Sequence, residues 1–78
     1  MNEKLVWKYS ATMRRGGNCE GSVSVEYTLG TSEIIAQDDA FEAVEKDIER
    51  IYGPQASGDI CKIDLQLDLQ NGQKNPFE

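Results

Sequence analysis

Apolar residues occupy every second position in two early stretches and one late stretch of this chain, and recur at helical spacing in a stretch between them. In Leu5 to Met13 the positions Leu5, Trp7, Tyr9, Ala11 and Met13 share one face, and Lys8, Ser10 and Thr12 share the other with Val6. In Val23 to Leu29 the same alternation turns Val23, Val25, Tyr27 and Leu29 inward. Between them lies Arg14 to Gly21, with Gly16-Gly17-Asn18 able to take the positive φ that hairpin connections commonly need. The pair reads as a β-hairpin. One register sets Lys8 opposite Glu26 and Arg14 opposite Glu20, where opposite charges help slightly. Ile60 to Leu69 alternates most regularly, with Ile63, Leu65, Leu67 and Leu69 inward and Lys62, Asp64, Gln66 and Asp68 outward.

The helical stretch runs from Asp39 to Tyr52. Phe41, Val44, Ile48, Ile51 and Tyr52 fall on a stripe about 100° wide, the width of a helix lying on a core. Asp38 or Asp39 can cap the first turn, with Glu42 placed as a capping-box partner to Asp39. Gly53 and Pro54 supply the stop signal. Ser32 to Gln37 is a short apolar run, read as a third strand ahead of that cap, although an early helical turn is the alternative. Asn71 to Glu78 is polar and reads as a frayed tail.

The order β-β-(β)-α-β predicts an α+β fold of two layers: an antiparallel sheet of three to four strands with one amphipathic helix packed on one face. Residues 1–70 form the expected single domain, and 71–78 a flexible polar tail. A chain of 78 residues buries a limited fraction of its surface. A homodimer that pairs edge strands or shields exposed apolar groups is therefore compatible with so thin a core.

Composition narrows the setting. The start carries no signal-peptide pattern, and no stretch approaches the length of a membrane span, so a soluble cytoplasmic protein is expected. The net charge is −6, and thirteen of the fourteen acidic residues follow Cys19. That balance disfavours non-specific nucleic-acid binding, which needs clustered Lys and Arg, and suits a basic protein partner. The same side chains, Glu42, Glu45, Lys46, Asp47, Glu49 and Arg50, also read simply as a solvated helix face with Glu42–Lys46 support.

Candidate chemistry is sparse. With no histidine, the commonest general base and metal ligand is missing, and no cofactor, metal site or catalytic set is expected. Cys19 and Cys61 read as reduced structural or surface thiols, with a bridge open if their strands adjoin. Asp38, Asp39 and Glu42 are explained by capping, and Asp64 with Asp68 by the polar face of a strand. Arg14-Arg15-Gly-Gly-Asn reads as a flexible hairpin tip or as an anion or protein contact. Trp7 and Tyr9 share their face with Leu5 and Met13, so they read as core before they read as base-stacking residues. Asn75-Pro-Phe77 resembles the tripeptide that EH domains recognise.

In its brevity, acidity and lack of active-site residues the chain resembles the small proteins with which phages and mobile elements inhibit host machinery, anti-CRISPR proteins among them. That resemblance implies a non-enzymatic protein-binding module that occupies a basic surface. Its expected partner-binding residues are Glu42, Glu45, Glu49, Asp64, Asp68, Arg14 and Arg15. The alternative is a nucleic-acid-binding protein that uses Lys8, Arg14, Arg15 and Lys62 on the hairpin loop and outer sheet face.

Overall fold

The computed structural model describes residues 2–78 and places strand β1 (Asn2–Met13), strand β2 (Gly17–Thr28), helix α1 (Glu33–Tyr52), a short 3-10 turn (Ala56–Asp59) and strand β3 (Ile60–Asp68) in that order. The three strands form one antiparallel sheet in the order β2-β1-β3, an α+β fold as the alternation predicts. β1 is the central strand, and its alternate residues Leu5, Trp7, Tyr9 and Ala11 are all buried. They join Cys19, Val23 and Tyr27 of β2 and Ala36, Ala40, Val44 and Ile48 of α1 in one hydrophobic cluster.

The hairpin register differs from the charge-pairing expectation by four positions. Met13 pairs Gly17 across a three-residue turn, Lys4 lies opposite Glu26, and Lys8 lies opposite Ser22. Gly17 at φ 77° closes this turn, the left-handed geometry a three-residue hairpin loop uses. A slip of four keeps the same residues inward, so the hydrophobic pattern alone could not choose between the two registers.

The helix begins earlier than its acidic pair suggests. Ser32 is the cap, its Oγ accepting from the Ile35 N–H at 3.4 Å, and residues 33–37 are helical instead of a third strand. The buried stripe Ala36, Ala40, Val44 and Ile48 recurs every four residues and continues through Asp38 and Asp39, which face water. Alanine carries little apolar weight in a sequence pattern, yet here it is what lets a helix approach a sheet closely. Ile51 and Tyr52, assigned to the buried stripe by sequence, are exposed, Tyr52 by 61%. Gly53 ends the helix with φ 111°, its N–H bonded to the Glu49 carbonyl at 2.8 Å.

β3 pairs β1 on the edge opposite β2. Thr12 faces Lys62 and Met13 faces Ile60, so Cys61 is an extra residue that bulges out, and Ile60 and Ile63 can both turn inward. Ile63, Leu65 and Leu67 are only half-buried, and Leu69, expected inward, lies past the strand and is exposed, as is Leu29 in the turn before the helix.

The polar segment after β3, expected to fray, folds back on the domain. It turns at Gly72, φ 81°, and the Gln73 side-chain amide donates to the Lys4 carbonyl at 3.1 Å. The Phe77 ring then meets Tyr27 edge-on at 5.3 Å and Trp7 at 6.3 Å between centroids.

Gly21 sits opposite Tyr9, and a Cβ there would lie 2.8 Å from the Tyr9 hydroxyl and 2.9 Å from two of its ring carbons. The missing side chain gives the phenol its path to the helix. Gly21→Ala is therefore expected to destabilise the domain by about 1–3 kcal/mol. Gly16→Ala, where nothing lies within 4 Å of the added methyl, should stay within about 0.5 kcal/mol of the parent in the same urea titration.

Candidate functional site

Two side-chain hydrogen bonds tie the helix to the sheet, Tyr9 to Asp47 and Cys19 to Tyr52. The Tyr9 hydroxyl donates to Asp47 Oδ2 at 2.9 Å, and Arg50 Nη2 donates to Asp47 Oδ1 at 2.7 Å. The Arg50 guanidinium is the main reason the Asp47 carboxyl is held below its ordinary range, and the Tyr9 bond adds to it. Burial first, and then the bond to Asp47, push the Tyr9 phenol well above its ordinary 10.0, so it remains a neutral donor. Sequence reading assigned Asp47 to the solvated helix face. The signals that could have found it are its place beside Ile48 on the flank of the buried stripe, and a glycine inside a strand, which often marks close approach.

A cleft of about 560 Å³ opens between the hairpin tip and the C-terminal end of α1, lined among others by Met13, Arg15, Cys19, Tyr52 and Asp59. The Arg14 amide bonds to the Asp59 carbonyl at 2.7 Å and holds the tip to the 3-10 turn. Inside, the Cys19 thiol donates to the Tyr52 hydroxyl at 3.6 Å, and this contact raises the Tyr52 phenol above its ordinary value. Cys19 is buried and Cys61 exposed, both as free thiols.

The outer face of α1 is the second surface. Seven carboxylates and two cations lie on the helix, five of the chain's six net negative charges. Both cations are engaged: Lys46 lies 3.4 Å from Glu42 and Arg50 2.7 Å from Asp47. Asp38, Glu42 and Glu45 are exposed and, at spacings of four and three, fall on one face. Glu49, expected among them, is turned toward the 3-10 element, where Ser57 Oγ donates to it at 2.9 Å.

The remaining expected positions are scattered. Asp64 is exposed on the outer face of β3, 3.7 Å from Lys62, and Asp68 at the strand's end is half-buried. Arg14 and Arg15 are exposed at the hairpin tip, apart from both acidic groups in the chain's topology. Cross-strand rows on the outer sheet face mix signs: Ser10 lies between Glu20 and Asp64, Lys8 between Ser22 and Gln66, and Thr12 between Asn18 and Lys62. Lys8 and Lys62 therefore do not form a continuous basic stripe with the arginines. Trp7 and Tyr9 are core residues, and Phe77 of Asn75-Pro-Phe77 packs on Trp7 and Tyr27. Among the described residues no group of three or more His, Cys, Asp or Glu could hold a metal ion, and no helix is long and apolar enough to cross a membrane. Compared with protein-family models, with characterised proteins and with solved structures, the chain matches none.

Asp47 and Tyr9 both contribute to the pH response. The low Asp47 pKa contributes stability above the unfolded carboxyl's 3.8, and that contribution is lost as pH falls through the lower folded value. The raised Tyr9 pKa contributes stability below 10.0 that is lost as pH rises above it, because the unfolded phenol ionises first. Urea titrations should show the parent losing stability above pH 10.0, and Tyr9→Phe losing less over the same interval. Identical slopes would remove Tyr9 from the alkaline transition.

Proposed function

We propose that this chain is a small non-enzymatic protein-binding module that docks on a basic partner surface through the outer face of α1. The observation that carries this reading is the concentration of charge: nearly all of the net negative charge lies on one helix whose two cations are already paired within it. The rigid seat of that helix, capped at Ser32 and tied through Asp47 to Tyr9, holds Asp38, Glu42 and Glu45 in a fixed line. A preorganised acidic row steers and orients a basic partner, and it does so without ordering a loop on binding. In this role the chain would act as the inhibitors of phages and mobile elements do, by occupying a surface of host machinery. The mixed signs of the outer sheet face support the protein partner over the nucleic-acid alternative.

The test is affinity capture from host lysate with the parent, an Asp38/Glu42/Glu45→Lys variant and an Arg14/Arg15→Glu variant, at low and high salt. The reading predicts one protein partner, retained by the arginine variant, lost by the helix variant and weakened at least tenfold by raising salt from about 50 to 500 mM. Capture of nucleic acid that only the arginine variant loses would replace it with the alternative.

A further inference from the structure

The outer edge of β3 carries no neighbouring strand among the described residues, although β3 is nine residues long and its inner face is apolar. The helix leaves that face partly uncovered. Ala43 and Asp47 lie on the flank of α1 toward β2, where Asp47 meets Tyr9 and where both line a shallow groove with Ser22, Val23 and Ser24. On the opposite flank, Ile34 and Phe41 fall in line along the helix, Ile34 being 72% exposed and Phe41 half-buried. Beside this flank Ile63, Leu65 and Leu67 are half-buried. An unpaired strand edge next to a half-covered apolar strip is a surface natural proteins normally cover.

The sequence of β3 says what fits there. Set antiparallel to a second copy of itself about a two-fold axis at Leu65, β3 places Lys62 opposite Asp68 of the second copy, twice by symmetry. The same register places Asp64 opposite Gln66, Ile63 opposite Leu67, and Leu65 opposite itself. Moving the axis to Asp64 would oppose two carboxylates instead. An axis at Ile63 would also pair Lys62, with Asp64, but would leave Leu67 and Asp68 without partners. The other free edge, β2, holds Glu20 and Glu26 and no cation, so no register of β2 on itself forms an ion pair. Charge complementarity thus selects the edge, and together with the length of strand paired it selects the register.

We infer that two copies of this chain join edge to edge through β3, forming a six-stranded antiparallel sheet in the order β2-β1-β3-β3-β1-β2. The two-fold axis stands perpendicular to the sheet, so both helices lie on the same side and the half-covered strips of the two β3 strands become one central strip between them. The inference stands independently of the acidic docking face. A dimer would nevertheless carry two such faces on one side and could engage a repeated basic surface twice.

The test exploits the ion pairs. Sedimentation equilibrium of the parent should give twice the 8.7 kDa chain mass at concentrations on the order of 0.1–1 mM. Lys62→Asp leaves acidic groups at both ends of the pairing, and Asp68→Lys leaves basic ones, so each variant alone should dimerise at least about tenfold more weakly. Mixed in equal amounts, the two variants should recover a mixed dimer near the parent's affinity, since both contacts of the mixed pair then join one acidic to one basic side chain. Circular dichroism of each variant shows that its fold is kept. A parent that stays monomeric throughout, or a dimer indifferent to both reversals and to mixing, would overturn the inference.

Discussion

The Tyr9 hydroxyl crosses over the bare backbone of Gly21 to reach Asp47, and this hydrogen bond ties the helix to the central strand, as the longer Cys19–Tyr52 contact ties its end to β2. A helix with only Ala36, Ala40, Val44 and Ile48 fully buried has a narrow apolar stripe, too narrow to cover three strands. Lying nearer β2 than β3, it shields most of the inner face of β1 and β3 partially. The buried Leu5, Trp7, Tyr9 and Ala11 on one strand and the half-buried Ile63, Leu65 and Leu67 on the next record that off-centre position. The chain after β3 offsets part of the shortfall by laying Phe77 against Trp7 and Tyr27.

The same position determines what remains available for other molecules. Because the stripe is narrow, most of the helix circumference faces water, and the sequence fills its outer side with carboxylates whose neighbouring cations are already paired. Carboxylates and apolar groups share the helix surface: Asp38, Glu42 and Glu45 are exposed on one face, while Ile34 is exposed and Phe41 half-buried on the flank away from Ala43 and Asp47. A charged face and an apolar edge on one small domain serve different contacts, the first through steering and orientation, the second through burial. The cleft at the hairpin tip adds concave shape, with the Cys19 thiol donating to the Tyr52 hydroxyl inside it.

Period-two alternation made all three long strands legible, because sheet faces repeat every second position whatever the register, but it carried the inward face past the strand ends to the exposed Leu29 and Leu69 and missed the buried Cys19. The register itself was not legible: a slip of four residues leaves every side chain on its own face, and only the three-residue turn at Arg14 to Gly16 separates the choices. The helix stop was plain in Gly53-Pro54. Its start was obscured because Ala36 and Ala40 add little to an apolar pattern, while Asp38-Asp39 look like a cap stronger than Ser32. Of the expected contact residues, Glu42 and Glu45 lie on the exposed acidic face, whereas Glu49 is bonded to Ser57. Pairing of edge strands was expected, but that β3 is one of the edges follows only from the strand order, with the last strand in sequence lying beside the first.

The measurement that tests this account most directly is a double-mutant cycle between Tyr9→Phe and Asp47→Ala, read as unfolding free energy in urea near neutral pH. A link that positions the helix predicts that the two losses fail to add, with a coupling of at least about 1 kcal/mol. Additive losses, with no coupling beyond about 0.3 kcal/mol, would mean that the phenol and the carboxylate stabilise the fold independently and that something other than their bond holds α1 over β1 and β2.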